Sequence, residues 1–332
     1  MFKEKVMLAV FTPAYNRAHT LERTYKSLCR QTSHDFMWVI VDDGSKDGTK
    51  DLVASWIVNG MESKDSKERY QLEGYAKDAE WLTIRYIYKE NGGMHTAHNV
   101  AYEHIDTELA VCIDSDDWMP DNGVQLIVER WKRDGGPQYA GMIGLDVFED
   151  GYVVGAAFPK DWKSCKTYEV GKVSVGFGDQ KYVYRVDVMK KYLPYPEYPG
   201  ERYGQVNWLY QTIDKEYDML CSNDIYCVVD YQSDGLSLNV LGQYRQSPRT
   251  RLYECNHLMV DVPYLKDNLK RAIQYDACTI IMKNWSLMFT SSKPWLTTLA
   301  FPLGVAYYYY MSKKKGKHID MSAARVVHSR EL

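Results

Sequence analysis

Leu109-Ala110-Val111-Cys112-Ile113-Asp114-Ser115-Asp116-Asp117-Trp118 is the stretch on which the reading of this chain turns. Five apolar residues run without a break, and three carboxylates then arrive within four positions. Such a run reads as a strand buried on both faces, so the acids stand where the strand leaves the core. Carboxylates this crowded repel one another unless something positive is shared among them. Oxygen-only ligands suit Mg²⁺ or Mn²⁺, which keep several waters and bind through one or two carboxylates plus phosphate oxygens. A helix start fits the same residues, since Asp and Ser favour N-caps and Pro120 an early helical position. The rest of the chain separates the two readings.

Upstream, residues 6–11 and 36–41 are two further apolar runs, and residues 82–88 form a third with partial alternation. Between them lie helical patterns: Leu21, Tyr25 and Leu28 at i, i+4, i+7, then residues 51–58, then about 95–102. Residues 61–80 form a polar, charged insertion. Alternation of strand and helix predicts βαβ units and a mostly parallel, Rossmann-like sheet flanked by helices. In open sheets of that kind, ligands bind beyond the carboxyl ends of the strands. Residues 12–17, 42–45, 91–95 and 114–117 are all polar stretches at such ends, which points to one shared site. Turns alone would place Gly, Asn and Asp there, but not acids at two separate strand ends with few bases to pair them.

Several function classes are excluded or left without support. No GxGxxG follows the first strand, so the dinucleotide-binding fingerprint is absent. Gly44-Ser45-Lys46-Asp47-Gly48-Thr49-Lys50 is not a phosphate loop, because its glycines are one residue too close and Lys and Thr come in the wrong order. Across 332 residues, 41 Lys+Arg against 44 Asp+Glu give a net charge of −3, which offers no basic surface for nucleic acid. The 28 Tyr and 9 Trp suit amphipathic binding surfaces. Seven scattered Cys without a CxxC pair speak against zinc and against a secreted disulfide framework. Residues 1–5 lead into a strand without a long apolar segment, so a reducing cytoplasm is expected.

Taken in order, Thr12-Pro13-Ala14-Tyr15-Asn16-Arg17, Val41-Asp42-Asp43-Gly44-Ser45, Asn91-Gly92-Gly93 and Ile113-Asp114-Ser115-Asp116-Asp117 resemble the motifs of glycosyltransferase family 2, nucleotide-sugar transferases of the GT-A fold. Each motif is weak alone; four in register over about the first 120 residues make a specific match. The resemblance implies that Thr12, Pro13, Ala14, Tyr15 and Arg17 line the donor site, with Thr12, Ala14 and Tyr15 against base and ribose. Asp43 would accept from the uracil ring, favouring a UDP-sugar, while Asp42 serves as a structural cap. Asn91, Gly92 and His95 would lie near ribose and phosphates, with a weaker case for His98, and Asp114 and Ser115 would contact the donor. Asp116, with Asp114, would hold Mg²⁺ or Mn²⁺; for Asp117 the metal shell and the cap of the next helix stay open as alternatives.

Farther on, residues 121–131 read as a helix and 140–157 as two strands around Glu149-Asp150-Gly151. A proline-punctuated loop over residues 193–202 precedes a helix at 206–213, and residues 224–231 form another strand. Family members carry the catalytic base, often in an acidic pair, at that loop. Here Glu201 stands alone before Arg202, which makes Glu201 the first candidate base and Asp179 the second. Asp234-Gly235-Leu236-Ser237 resembles the family's acceptor-side turn, and Gln243-Tyr244-Arg245-Gln246 lacks the Trp of processive synthases. Residues 1–240 are thus expected to form the transferase domain, with a nucleotide half (1–120) and an acceptor half (121–240), and residues 241–332 a helical extension. Residues 295–311 are nearly free of charge yet shorter than a span needs, and Lys313-Lys314-Lys315-Gly316-Lys317 follows. That pattern suits peripheral contact with the inner face of the cell membrane through residues 295–317, or a helix docked on the protein's own core. The expected activity is inverting transfer of a single sugar from a UDP-sugar to an acceptor hydroxyl, on a glycan or lipid-linked acceptor in cell-surface polysaccharide synthesis. A catalytically idle nucleotide-sugar-binding or scaffolding protein of the same fold is the alternative.

Overall fold

The computed structural model describes residues 5–173, 179–230 and 240–313. In chain order, the first half contains β1 (Leu8–Ala14), α1 (Leu21–Cys29), β2 (Phe36–Asp42), α2 (Thr49–Trp56), β3 (Ile57–Lys64), β4 (Tyr70–Ala76), β5 (Ala79–Tyr88), α3 (Met94–His104) and β6 (Leu109–Cys112). There follow α4 (Gly123–Asp134), β7 (Tyr139–Phe148), β8 (Ser164–Cys165), α5 (Thr167–Val173), β9 (Gln180–Arg185), α6 (Val186–Tyr192), α7 (Asn207–Ile213) and β10 (Asp218–Val229). A helical layer of α8 (Val240–Gln246), α9 (Pro248–Asp261), α10 (Leu265–Ile281) and α11 (Pro294–Lys313) completes the described chain, with a 3₁₀ turn at Trp285–Thr290.

The ten strands form one sheet in the order β3-β4-β5-β2-β1-β6-β9-β7-β10-β8. β1 as far as Phe11 and β2 as far as Val41 are apolar because both of their faces are covered. Leu8, Val10, Trp38 and Ile40 pack under α1, α2 and α4, with Leu21, Tyr25, Val53, Ile127 and Trp131 in the same core. Their alternate neighbours Ala9, Phe11, Val39 and Val41 face α3, α6 and α7, meeting Ala97, Val100, Met189 and Trp208. The layered α/β architecture expected from the sequence is present. Its parallel part is confined to β5-β2-β1-β6 and to the β7–β10 pair. β9 runs antiparallel between β6 and β7, and β3, β4 and β8 are antiparallel to their neighbours. Apolar runs carry no direction, which is why the sequence pattern overstates the parallel share.

Three local expectations change. The polar insertion at 61–80 is the hairpin β3–β4 and the first residues of β5, and β3 escapes notice because it buries almost nothing. α2 stops at Trp56, whose ring stacks on Tyr25 at 4.3 Å, rather than running to Val58. Residues 140–157 give one long strand, β7, and beyond the turn at Gly151 only the bridge of Val153 to Val147.

The C-terminal helices do form an all-helical layer. α10 packs between α9 and α11 around Cys255, Met259, Tyr275, Leu296 and Ala300. Among the described residues, no helix is long and apolar enough to cross a membrane. One face of α11 docks on α10, where Gly304 lies so close that a Cβ there would sit 2.4 Å from Asp276 Cβ. Its other face leaves Trp295, Leu299 and Leu303 exposed at 58%, 72% and 52%. Asp234, Gly235, Leu236, Ser237, Lys314, Lys315 and Lys317 lie outside the described residues.

Candidate active site

The carboxyl ends of β1, β2, β5 and β6 are adjacent in the sheet, so their loops meet on one edge. The loops after β1, β2 and β5 are also hydrogen-bonded to one another, while the loop after β6 is held by Arg23 and Thr24 of α1. The Asn16 and Arg17 amides donate to Ser45 Oγ (2.8 Å) and Thr49 Oγ1 (3.0 Å), and Asn16 Oδ1 accepts from the Lys46 amide at 2.8 Å. Asp42 caps this turn as expected, accepting from the Ser45 amide and from the Tyr86 hydroxyl, both at 2.7 Å. Gly44 has a positive φ of 82° and packs against Asn91, where a Cβ would lie 2.7 Å from the Asn91 nitrogen. A side chain would therefore part the β2 and β5 loops.

Within the first loop, Thr12 does not face a ligand. It is fully buried, and its Oγ1 accepts from Trp38 Nε1 at 2.9 Å, so it serves the scaffold. Pro13 is half-buried and Ala14 buried, while Tyr15 is 43% exposed and is the side chain the loop offers outward.

Asp43 is buried, and its carboxylate is turned onto the neighbouring loop. It accepts from the amides of Gly92 (2.9 Å) and Gly93 (2.7 Å) and pairs with Lys89. Asn91 Nδ2 donates to the Asp43 carbonyl at 2.9 Å. The Asp43 carboxylate thus orders Asn91-Gly92-Gly93 and leaves little capacity for a base edge, an arrangement the sequence reading did not anticipate. His95, in the first turn of α3, is buried with neither ring nitrogen hydrogen-bonded. Burial lowers its pKa, and that of His98 falls to about 4, so both rings are neutral at pH 7.

At the end of β6 the acids take different roles. Asp114 is exposed and Asp116 half-buried, and Ser115 is buried between them. Burial and the negative charge of Asp114 raise the Asp116 carboxyl above its ordinary range, while Arg17 opposes the shift. Asp117 turns inward, accepting from the Asp230 amide at 3.1 Å, with Lys181 Nζ 3.8 Å away and Asp146 beyond it, 3.6 Å from the same ammonium. Burial pushes the Asp117 and Asp146 carboxyls upward, and the two acids hold Lys181 charged. Among the described residues, no group of three or more His, Cys, Asp or Glu side chains forms a metal cage. What the β6 end offers is the Asp114–Asp116 pair, a donor set suited to Mg²⁺ or Mn²⁺ when phosphate oxygens complete the shell.

The two candidate bases diverge. Glu201 is buried and accepts from the Arg249 amide (3.0 Å), Arg249 Nε (3.0 Å), the Thr250 amide (2.8 Å) and Thr250 Oγ1 (2.8 Å). With two donors on each oxygen, it caps the start of α9. Asp179, just before β9, is exposed and close enough to Asp146 to raise that group's pKa. Four participants were not foreseen. Arg23 donates to the Asp116 carbonyl at 3.0 Å, pairs with Asp230 at 2.7 Å and lies over the Trp118 ring; half-buried Lys89 and buried Lys181 and Asp146 are further titratable groups around the site. Arg23 sits at an exposed-looking helix position, and isolated lysines in strands carry no spacing signal, so only Lys89, one residue past a strand end, was discoverable from the sequence.

Residues 9–143 match the family model described as Glycosyl transferase family 2. A Bacillus subtilis (strain 168) glycosyltransferase, TuaG, whose name assigns it to teichuronic acid biosynthesis, is 29% identical over 130 residues, covering 39% of this chain and 39% of the relative. A chondroitin synthase of Pasteurella multocida (strain Pm70) is 25% identical over 128 residues, 39% of this chain and 11% of that protein. The chain therefore spans two fifths or less of these curated relatives. In three dimensions it is similar to residues 1–349 of S. aureus TarS, with a TM-score of 0.53 and 14% identity, covering 93% of this chain and 90% of that one. TarS has also been solved with UDP-GlcNAc (TM-score 0.52, 14% identity, 93% and 91% covered). The family resemblance drawn from the four motifs is borne out over residues 9–143, and the GT-A fold over nearly the whole chain.

Proposed function

We propose that this chain is a family 2 glycosyltransferase that moves one sugar from a UDP-sugar to an acceptor hydroxyl with inversion at the anomeric carbon. The observation that carries this reading is that four adjacent strand ends open on one edge of the sheet, three of their loops tied to one another by hydrogen bonds and the fourth carrying exposed Asp114 and half-buried Asp116. Asp114 and Asp116 would hold Mg²⁺ or Mn²⁺, which when bound neutralises charge on a departing diphosphate. The chain's own residues do the rest. Tyr15 and the ordered Asn91-Gly92-Gly93 loop receive the nucleotide, and Arg17 and Arg23 add positive charge beside Asp116. Asp179 takes the proton of the attacking hydroxyl as general base, a role for which Glu201 has no vacant lone pair. The preference for uracil over other bases and the support for UDP rest on family likeness and on TarS, a protein of the same fold that holds UDP-GlcNAc.

The acceptor is a glycan or lipid-linked glycan of a cell-surface polysaccharide, in keeping with the names of the relatives. Peripheral attachment to the inner membrane face would use the exposed side of α11, with Trp295, Leu299 and Leu303, joined by exposed Trp285 and Phe289. One observation favours the idle-scaffold alternative: the carboxylate at the expected base position is consumed in capping α9. A screen of UDP-sugars with Mn²⁺, scoring both binding and UDP release on acceptor mixtures, separates the readings. Binding with acceptor-dependent UDP release supports the transferase. Tight binding without release under any acceptor supports the scaffold, and no nucleotide-sugar binding overturns both.

A further inference from the structure

The segment Glu201-Arg202-Tyr203-Gly204-Gln205 has two faces, and they go to different partners. Its odd residues are tied to the helical layer. Glu201 caps α9 through Arg249 and Thr250, the Tyr203 amide donates to Ser247 Oγ at 3.1 Å, and the Gln205 amide donates to Glu254 Oε1 at 2.6 Å. Its even residues press on the donor side of the sheet. The Arg202 carbonyl lies against Gly93, where a Cβ would come within 1.9 Å of it, and Gly204 lies against the His95 ring, where a Cβ would come within 2.8 Å. Gly93 has a positive φ of 97°, so both its backbone conformation and its close contact require glycine. A strip with alternate residues on opposite faces acts as a spacer between the two bodies it touches.

Behind the strip stands Arg251, which is 1% exposed. Its guanidinium donates to Gln205 Oε1 (2.7 Å), to Glu254 Oε2 (2.7 Å) and to Gln274 Oε1 (2.6 Å), and lies 4.2 Å from the Tyr244 ring centroid. Well-packed apolar residues can fill such a position with equal or greater stability, so a buried Arg–Glu pair is weak evidence for a purely stabilising role. A planar fork that fixes three acceptors at once gives directional control instead. Those acceptors come from the strip, α9 and α10.

We infer that Arg251 is a positioning residue for the donor site: it holds Gln205, and through the strip sets the height of Gly93 and the His95 ring at the start of α3. The helical layer is on this account the back wall of the site, a role not expected from the sequence for the helical extension over residues 241–332. The consequence for turnover rests on the transferase reading; the mechanical coupling does not.

The test uses the full chain with Arg251→Met, Arg251→Lys and Gln205→Ala. Hydrogen exchange is followed in peptides covering residues 91–96 and 199–206, alongside UDP affinity and donor and acceptor KM. In folded Arg251→Met, exchange in both peptides should rise about tenfold or more, as expected for a local opening. UDP affinity should fall in step and donor KM rise, with kcat and acceptor KM little changed. Arg251→Lys keeps the charge without the fork and should rescue only partly. Gln205→Ala cuts the same link from a half-buried loop side chain without burying an unpaired charge, and decides the matter if Arg251→Met does not fold. Unchanged exchange at 91–96 in folded Arg251→Met or in Gln205→Ala overturns the coupling. Raised exchange in a protein that never releases UDP upholds the coupling and refutes the transferase reading.

Discussion

Asp276 is a fully buried carboxyl in α10, with no hydrogen-bond partner on either oxygen, beneath the point where α11 passes at Gly304. Burial pushes its pKa up from 3.8 to about 7. The folded protein therefore keeps a proton that the unfolded chain releases near pH 4. Stability is greatest below the unfolded pKa, falls as pH rises through the interval up to the folded value, and is flat above it. Those two pKa values imply a loss of about 2–3 kcal/mol between pH 5 and pH 8. Asp276→Asn removes the titration while keeping the shape, so the difference in stability between variant and wild type should move in the variant's favour by that amount over the same interval. Urea unfolding of both proteins at pH 5 and pH 8, with hydrogen exchange of the α10 amides as a local readout, measures it. Parallel pH profiles for the two proteins would show that the carboxyl is ionised and satisfied in the fold, and the reasoning would fail.

Asp116→Ala should abolish the chelator-sensitive part of UDP binding and leave the melting temperature unchanged; UDP affinity indifferent to both chelator and mutation would remove Asp116 from the metal site. Asp179→Asn should lower kcat about a hundredfold with UDP binding intact. Glu201→Gln, by contrast, should act on stability, by about 1–2 kcal/mol through the weakened cap of α9, and the opposite pattern in the two variants would return the base to Glu201. If α11 binds membranes, Trp295→Ser with Leu299→Ser should reduce sedimentation with anionic vesicles several-fold without changing the melt, since both side chains are exposed; equal sedimentation would refute membrane binding through this face.

The sheet and the location of its loops were legible because β1, β2 and β6 are buried on both faces and end in polar residues that have no place in a core. Asp114 and Asp116 were legible for the same reason. β3 was not, since an edge strand with almost no buried side chain writes no pattern into the sequence. Neither was the use made of Glu201 and Asp43. A carboxylate's type and position say that it needs donors, but whether they come from a ligand or from Thr250, Gly92 and Gly93 depends on contacts 49 or 50 residues away. Thr12 shows the converse. It occupies a motif position, yet Trp38, 26 residues on, claims its hydroxyl.

Among the described residues the ten-stranded open sheet has two unpaired edges, and each is an invitation to a second molecule's backbone. On one side β8 is two residues long, too short to template pairing. On the other, β3 runs eight residues, but its register slips between Val58 and Met61, Asn59 has a positive φ, and Glu62 and Lys64 stand exposed on what remains. The regular edge is thereby cut to a short charged segment. Among the described residues both sheet edges are thus blunted against pairing with a second backbone, while the apolar face of α11 at Trp295, Leu299 and Leu303 stays open, so that association through the helix need not bring association through the sheet.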